Sequence, residues 1–482
     1  MKRAPDILRI GNGAGYWGDN LDAPRRLAEA GGLDYLTLEY LAELTLSILA
    51  HLRSRDPEAG FVGDVPTVLE SLVPALKSQS ALKIVTNGGG MNPVACVRSV
   101  ARVLEAAGLG TVSIAAVAGD DLLPRLRDLQ AAGETLENFD TGEPMTAEIL
   151  GRLASANAYL GATGIVEALQ HGARIVITGR VADASLTVGP AVHEFGWTWD
   201  DWQRLAAASV AGHLIECGAQ ATGGMYSGWS SALSLDNLGY PLVELSADGR
   251  FTLTKPPATG GAVNFETVSE QLVYEIRDPA HYLTPDVDAD FSHVTLTETG
   301  PDRVLVQQAR GNPAPPRLKV SMAYRDGYMA AGTLVVYGPD ATVRAKTCGE
   351  LILSRLKQAG IELARTNVEC LGSGVVVPDA WHVPPGHPAE LGGSATTATE
   401  VVLRVSAHDP SKLKLERFLR EFAPLAGAGT PGVTGYTGPR PSPYPVFAYW
   451  PTTISRQHVQ PTIEVHTASE WLKSPAGGSV HA

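Results

Sequence analysis

Leu82-Lys83-Ile84-Val85-Thr86-Asn87-Gly88-Gly89-Gly90-Met91-Asn92-Pro93 is the stretch that decides the fold. Its first half is apolar and β-branched, and a glycine triplet ends the run, so it reads as a strand emptying into a tight loop; a helix over 94–107 follows. The same unit recurs on both sides. Towards the N-terminus, a strand over 7–10 breaks into the glycine-rich segment 11–20 before a helix over 21–30, and a strand over 33–38 precedes helices over 41–53 and 66–78. Towards the C-terminus, a strand over 111–117 ends in Gly119-Asp120-Asp121 before a helix over 122–130, and a strand over 174–177 ends in Thr178-Gly179-Arg180. Strands spaced by helical crossovers imply an α/β fold with a Rossmann-like parallel sheet and helices on both faces. In such sheets ligands sit beyond the carboxyl ends of the strands, so these loops are expected to converge on one crevice.

From about residue 240 the strands shorten and turns multiply, with long helices only near 342–358 and 413–422. We therefore expect a Rossmann-like domain over 1–240 that carries the crevice, a smaller α+β domain over 241–460, and a C-terminal tail over 461–482. The 482 residues suit about two domains. Composition narrows the function classes: the net charge of −13 is spread out, with no basic cluster to carry nucleic acid. No segment approaches the unbroken apolar run of a membrane span, and the start lacks a signal-peptide pattern, so no membrane and a cytoplasmic location are expected. The light surface charge points to a homo-oligomer. The four cysteines, Cys96, Cys217, Cys348 and Cys370, show no paired spacing, which favours free thiols.

The chemistry concentrates in two segments. One is Thr178-Gly179-Arg180-Val181-Ala182-Asp183, where Arg180 directly follows a buried strand. Arg180 could clamp a carboxylate or phosphate with Asp183 orienting it or taking a proton; an internal ion pair that ties the loop down is the alternative. The other is Glu216-Cys217-Gly218-Ala219-Gln220-Ala221-Thr222-Gly223-Gly224, too small-sided for an ordinary helix and therefore open to close approach by a ligand. Glu216 is the candidate general acid or base, and Cys217, with His213 four positions before it, a candidate nucleophile or an inert buried thiol. Gln220, Thr222 and Gly223 are candidate binding residues on the same loop, and Asn12 and Asp120 at other strand ends, with helix capping by Asp120 and Asp121 the favoured alternative for that pair. Asn87, Gly88, Gly89 and Asn92 offer a helix-start anion or oxyanion seat. Gly13, Gly15 and Gly18, with Glu39 further on, meet the spacing of a dinucleotide fingerprint, for which a tight strand-to-helix turn is the alternative reading. The scattered histidines assemble no zinc or iron site, and no metal is expected; a carboxylate-bound Mg²⁺ on Asp19, Asp120 or Asp183 is the weaker alternative.

These motifs together resemble the acyclic terpene utilisation A (AtuA) family. The likeness runs from Arg9-Ile10-Gly11-Asn12-Gly13-Ala14-Gly15 through Ile84-Val85-Thr86-Asn87-Gly88-Gly89-Gly90, Ile177-Thr178-Gly179-Arg180-Val181-Ala182-Asp183 and the segment from Gly212 to Gly224. It continues in Gln271-Leu272-Val273-Tyr274-Glu275-Ile276-Arg277-Asp278-Pro279 and Tyr282-Leu283-Thr284-Pro285-Asp286-Val287, and spans roughly residues 9–456. Family members often carry a further small C-terminal domain, before which this chain is expected to stop. The resemblance implies a setting among enzymes that degrade branched isoprenoid acids and their CoA thioesters, and assigns no role to any residue. The expected function is then proton transfer on a small or branched carboxylic acid or its acyl-CoA thioester, of the hydratase/dehydratase (lyase) or isomerase type. No cofactor is expected beyond coenzyme A as part of the substrate. A non-catalytic binding or scaffold subunit of an acyl-CoA-processing complex, and a Cys217-dependent acyl transferase or thioesterase, are the alternatives.

Overall fold

The computed structural model describes residues 6–30, 32–231, 234–373, 375, 398–435 and 441–473, and the chain forms two compact units, residues 1–323 with 449–482, and residues 324–448.

Among the described residues, one ten-stranded sheet organises the first unit. Its strands are β1 Ile7–Asn12, β2 Tyr35–Leu38, β3 Lys83–Thr86, β4 Ser113–Ala118, β5 Ile175–Thr178, β6 Leu242–Ser246, β7 Phe251–Thr254, β8 Thr295–Gly300, β9 Arg303–Gln307 and β10 Thr462–Thr467. Their order across the sheet is β8-β9-β7-β6-β1-β2-β3-β5-β4-β10. The centre is parallel as expected, with Ile10 opposite Tyr35, Tyr35 opposite Lys83, and Ile175 paired to both Ile84 and Ile114. β2 and β5 are buried at every position, which is why they read as unbroken apolar runs instead of alternating ones.

The flanks correct the expectation of a purely parallel sheet ending near residue 240. β6 lies antiparallel on β1, with Ile10 opposite Val243, and the hairpin to β7 turns through Gly249 at φ +92°. Val243, Leu245 and Leu253 are fully buried there, so the sheet is mixed and the unit continues to residue 323. The expected tail is also structural over part of its length: β10 pairs antiparallel with β4, Val465 opposite Ala115, and the helix Ala468–Lys473 follows; residues 474–482 lie outside the described residues. The helix expected over 66–78 is two, Asp64–Ser71 and Val73–Ser78, because Pro74 sits in the first turn of the second and cannot continue the first.

Asn92 caps the helix Pro93–Ala106 by accepting from the Ala95 N–H at 3.3 Å, and Pro93 supplies a pre-set first residue. The helix Trp202–Glu216, which sequence patterning missed, is buried continuously from Leu205 to Ile215. It is small and apolar all round, so it shows no stripe to reveal a helical period. It ends at Cys217, and Gly218 at φ +60° turns the chain into the short 3-10 segment Gly218–Thr222.

The second unit has its own core. The antiparallel strands Arg365–Leu371 and Glu400–Asp409, with Cys370 opposite Leu403, pack against the helices Ala341–Gln358 and Lys412–Leu419 through Cys348, Ile352, Leu403, Val405 and Phe418.

Candidate functional site

Because β1, β2, β3, β5 and β4 run in parallel, their C-terminal loops emerge at one edge of the sheet, and hydrogen bonds tie those loops to one another. Glu39, just past β2, is buried; its Oε1 accepts from the Leu41 N–H at 2.9 Å and from Asn87 Nδ2. Asp120, just past β4, is also buried and accepts through Oδ2 from Asn157 Nδ2 at 2.8 Å and from the Arg180 N–H at 2.9 Å. Gly179 is required at this crossing, since a Cβ there would stand 2.3 Å from Asp120 Oδ1.

Arg180 is 1% exposed, and its guanidinium donates to the Leu41 carbonyl and to Asp183 Oδ1 while lying 4.1 Å from the centre of the Tyr159 ring. Its remaining Nε–H is buried without a partner. Asp183 is 33% exposed. The internal ion pair given as the alternative is therefore present, with Arg180 its buried member and Asp183 the more exposed one. Desolvation by the surrounding protein pushes the Asp183 carboxyl upward and Arg180 pulls the other way.

Glu216 stands at the end of the buried helix. The Asn12 amide places it, donating through Nδ2 to the Ile215 carbonyl at 2.7 Å and the Glu216 carbonyl at 3.1 Å. The Glu216 side chain is 10% exposed; Oε1 lies 3.0 Å from His213 Nδ1, and Oε2 is buried with no partner. Desolvation, reinforced by the charges of Asp183 and Glu275, drives this carboxyl well above the ordinary glutamate value, with Arg180 opposing. His213 is buried, its Nε2 3.0 Å from the Gln271 carbonyl and its ring flanked by Tyr282 and Phe291. Burial lowers its imidazole from 6.5 to about 4.

Cys217 is half-buried beside Glu216, and burial followed by the Glu216 charge pushes its thiol up to about 12. A thiolate nucleophile is thus disfavoured at neutral pH. On the far side of Tyr159 in sequence, Lys319 brings the half-exposed cation the pattern did not reveal: Nζ lies 4.8 Å from the Tyr159 ring centre and 3.0 Å from Glu43 Oε1. Lys319 pulls Glu43 down to about 2 against the upward push of burial.

Several expected ligand-binding residues are used up by the fold. Asn87 spends Oδ1 on the Tyr40 N–H at 2.9 Å and Nδ2 on Glu39. The N–H groups of Gly88, Gly90 and Asn92 donate to Thr86 Oγ1, the Asn87 carbonyl and the Gly89 carbonyl, so these three donors of the expected anion seat are engaged within the turn. Asn92 also ties down the Pro57 and Ala59 carbonyls, each at 2.9 Å. Gly89 marks close packing, since a Cβ would meet the Thr178 carbonyl oxygen at 2.5 Å. Thr222 donates to the Gly239 carbonyl at 2.6 Å, Gly223 turns the chain at φ +105°, and Gln220 sits half-buried on the same turn.

The dinucleotide spacing resolves into the tight-turn alternative. Gly13 N–H donates to the Thr37 carbonyl, and those of Gly15 and Gly18 to the carboxylates of Asp19 and Asp64, at 2.9, 2.8 and 3.1 Å. A pyrophosphate needs those donors free. The three aspartates offered for Mg²⁺ are likewise engaged separately: Asp19 accepts from Gly15 and Tyr240, Asp120 from Asn157 and Arg180, Asp183 from Arg180. A cavity of about 450 Å³, lined by Glu134, Asn138, Phe139 and Arg317, lies elsewhere in the same unit. Its Glu134 carboxylate is held by Arg317 at 2.7 Å and the Ser455 N–H at 3.0 Å.

Glu39, Tyr159, Lys319 and Gln271 complete the cluster; Glu39 had carried a signal as the acidic residue of the dinucleotide spacing and Gln271 only as part of a family motif, while Tyr159 and Lys319 had carried none. Among the described residues no helix is long and apolar enough to cross a membrane. The profile of the family described as "Acyclic terpene utilisation family protein AtuA" matches residues 8–465. The chain belongs to this family. Neither a curated protein nor a solved structure matches it.

Proposed function

We propose that this member of the acyclic terpene utilisation family is an enzyme that moves a proton on a small or branched carboxylic acid or its coenzyme A thioester, in the manner of a hydratase/dehydratase or an isomerase. The family ties the chain to acyclic terpene utilisation. The observation that carries the finer reading is the Glu216 carboxyl: raised in proton affinity, with Oε2 shielded and unpartnered, and within the electrostatic reach of an Asp183 that Arg180 holds. Two carboxyls in one site, of which only one has a direct guanidinium partner, are suited to divide acid and base work. In this reading Glu216 Oε2 takes the proton from the carbon beside the carbonyl, Asp183 handles the water or departing hydroxyl, and Lys319 faces the anionic end of the substrate. Cys217 sits beside Glu216 as a bystander.

The test follows deuterium uptake from heavy water into a panel of branched acids and their coenzyme A thioesters by mass spectrometry. Glu216→Gln is expected to slow exchange by roughly 10²–10⁴-fold with unchanged unfolding, the range of general acid–base contributions. Exchange unaffected by Glu216→Gln for every accepted compound would end the reading. A covalent acyl adduct that vanishes in Cys217→Ser would favour acyl transfer, and a stable partner with no exchange a non-catalytic subunit.

A further inference from the structure

A carboxyl that is already protonated is a poor base, so Glu216 can accept a proton at Oε2 only if it releases one at Oε1. The hydrogen bonds around His213 say where that proton goes. Nε2 lies 3.0 Å from the Gln271 carbonyl oxygen, which can only accept, so Nε2 carries a hydrogen. The ring is 1% exposed and walled by Tyr282 and Phe291, an environment that disfavours a second proton and keeps it neutral. A neutral ring with hydrogen on Nε2 leaves only a lone pair on Nδ1. The Glu216 Oε1 found 3.0 Å from Nδ1 must then be a hydroxyl that donates. The partners lock the pair in place: Gln271 donates through Nε2 to the His213 carbonyl at 3.0 Å, and Asn12 pins the Glu216 carbonyl.

We infer that His213 is a neutral imidazole with its hydrogen on Nε2, that its Nδ1 accepts from a protonated Glu216, and that it is the outlet through which Glu216 passes a proton. The step balances: the substrate C–H bond breaks and its proton joins Oε2, the Oε1–H proton moves to Nδ1, and the electron pair of the C–H bond stays with the substrate as an enolate. The imidazolium so formed keeps its Nε2–H on the Gln271 carbonyl, and the reverse transfers restore the resting state. The charged and titratable groups that face the pair are Asp183 and Arg180 from the loop after β5, Glu275 after the helix Phe265–Val273, Tyr282 on the strand Tyr282–Leu283, and Cys217 at the helix end. Asp183 and Glu275 favour the transient imidazolium.

The outlet role rests on the proton-transfer reading, while the proton positions do not. Two-bond ¹H–¹⁵N spectra of the full chain with labelled histidine, at pH 7 and without substrate, are expected to show His213 with Nε2 protonated and Nδ1 bare, the signal being assigned by its loss in His213→Gln. Should that variant fail to fold, Glu216→Gln assigns it instead, because a glutamine amide still donates to Nδ1 and preserves the tautomer while shifting the Nδ1 resonance. An infrared band of a protonated carboxyl that disappears in Glu216→Gln is expected alongside. An imidazolium pattern, hydrogen on Nδ1, or no such band overturns the inference and leaves the proton-transfer reading to stand without His213. The expected tautomer with no exchange in any acid or thioester removes the outlet together with that reading and leaves the proton positions established.

Discussion

Asp120 shows how a buried side chain at a strand end can be read as binding and yet be structural. Desolvation raises its carboxyl to about 6, against the bonds from the Arg180 N–H and Asn157 that favour the ionised form. The folded state therefore binds this proton more tightly than the unfolded chain, whose aspartate titrates at 3.8. Its contribution to stability is fully present below pH 3.8 and is lost as pH rises through about 6. The shift of about two pH units corresponds to about 3 kcal/mol. Asp120→Asn imitates the protonated form, so its stability relative to the parent protein is expected to rise by about that amount between pH 4 and pH 7 in urea titrations; a difference that stays constant over the range would mean Asp120 is already ionised at pH 4. Arg180, Asp183 and Glu216 were legible because a charged residue abutting a buried strand or a glycine-rich turn is chemically conspicuous. Lys319 and Tyr159 were not, since nothing local marks a lysine 139 residues beyond Arg180 as its neighbour across one aromatic ring.

The helix Trp202–Glu216 and the loop after β1 explain why the site depends on elements that look unrelated in sequence. Strands betrayed themselves as β-branched runs, but this helix has no polar face to give it a period, and it is the element that delivers His213 and Glu216. Its end is held by contact as well as by Asn12: a Cβ on Gly15 would fall 2.6 Å from the Cys217 carbonyl carbon and 2.8 Å from the Gly218 nitrogen, both backbone atoms that cannot swing aside. Gly15→Ala is accordingly expected to destabilise by roughly 1–3 kcal/mol, the usual range for overpacking, and to slow deuterium exchange by displacing Glu216. Gly63→Ala is the control, because a Cβ there meets nothing within 4 Å and its φ of −62° suits alanine. Chemical denaturation and exchange assays on the pair separate the two; equal behaviour would show that the loop after β1 does not bear on the helix end.

At the scale of the whole molecule, sequence texture divided the chain where strands shorten, whereas the fold divides it where strands stop adding to the first sheet. An edge strand carries the same alternating pattern whichever sheet it joins, so the strands and turns past residue 240 were read without their pairing partner being apparent, and the strand at 462–467 was read only as part of a tail. The consequence is sharpest at β10, which covers the β4 edge that would otherwise expose a row of unpaired backbone groups. Trp471 fastens it. The indole is 1% exposed, stacks edge-on against His466 with ring centres 4.9 Å apart, and donates through Nε1 to the Ile114 carbonyl at 2.9 Å. Trp471→Ala removes that bond and opens a cavity in the first unit's core, for which about 3–5 kcal/mol is the expected cost; Trp471→Phe keeps most of the packing and should lose about 1 kcal/mol. Because β4 leads directly into Asp120, and Asp120 holds the Arg180 backbone, the loosening should reach the site. Hydrogen exchange read by mass spectrometry is expected to show faster exchange in Trp471→Ala for peptides covering β4 and the 179–183 loop. The strand Glu400–Asp409, whose core shares no residue with the cluster around Trp471, should keep its protection. Uniform loss across both units would instead mean that the two cores unfold together and that β10 is not a local fastening of the site.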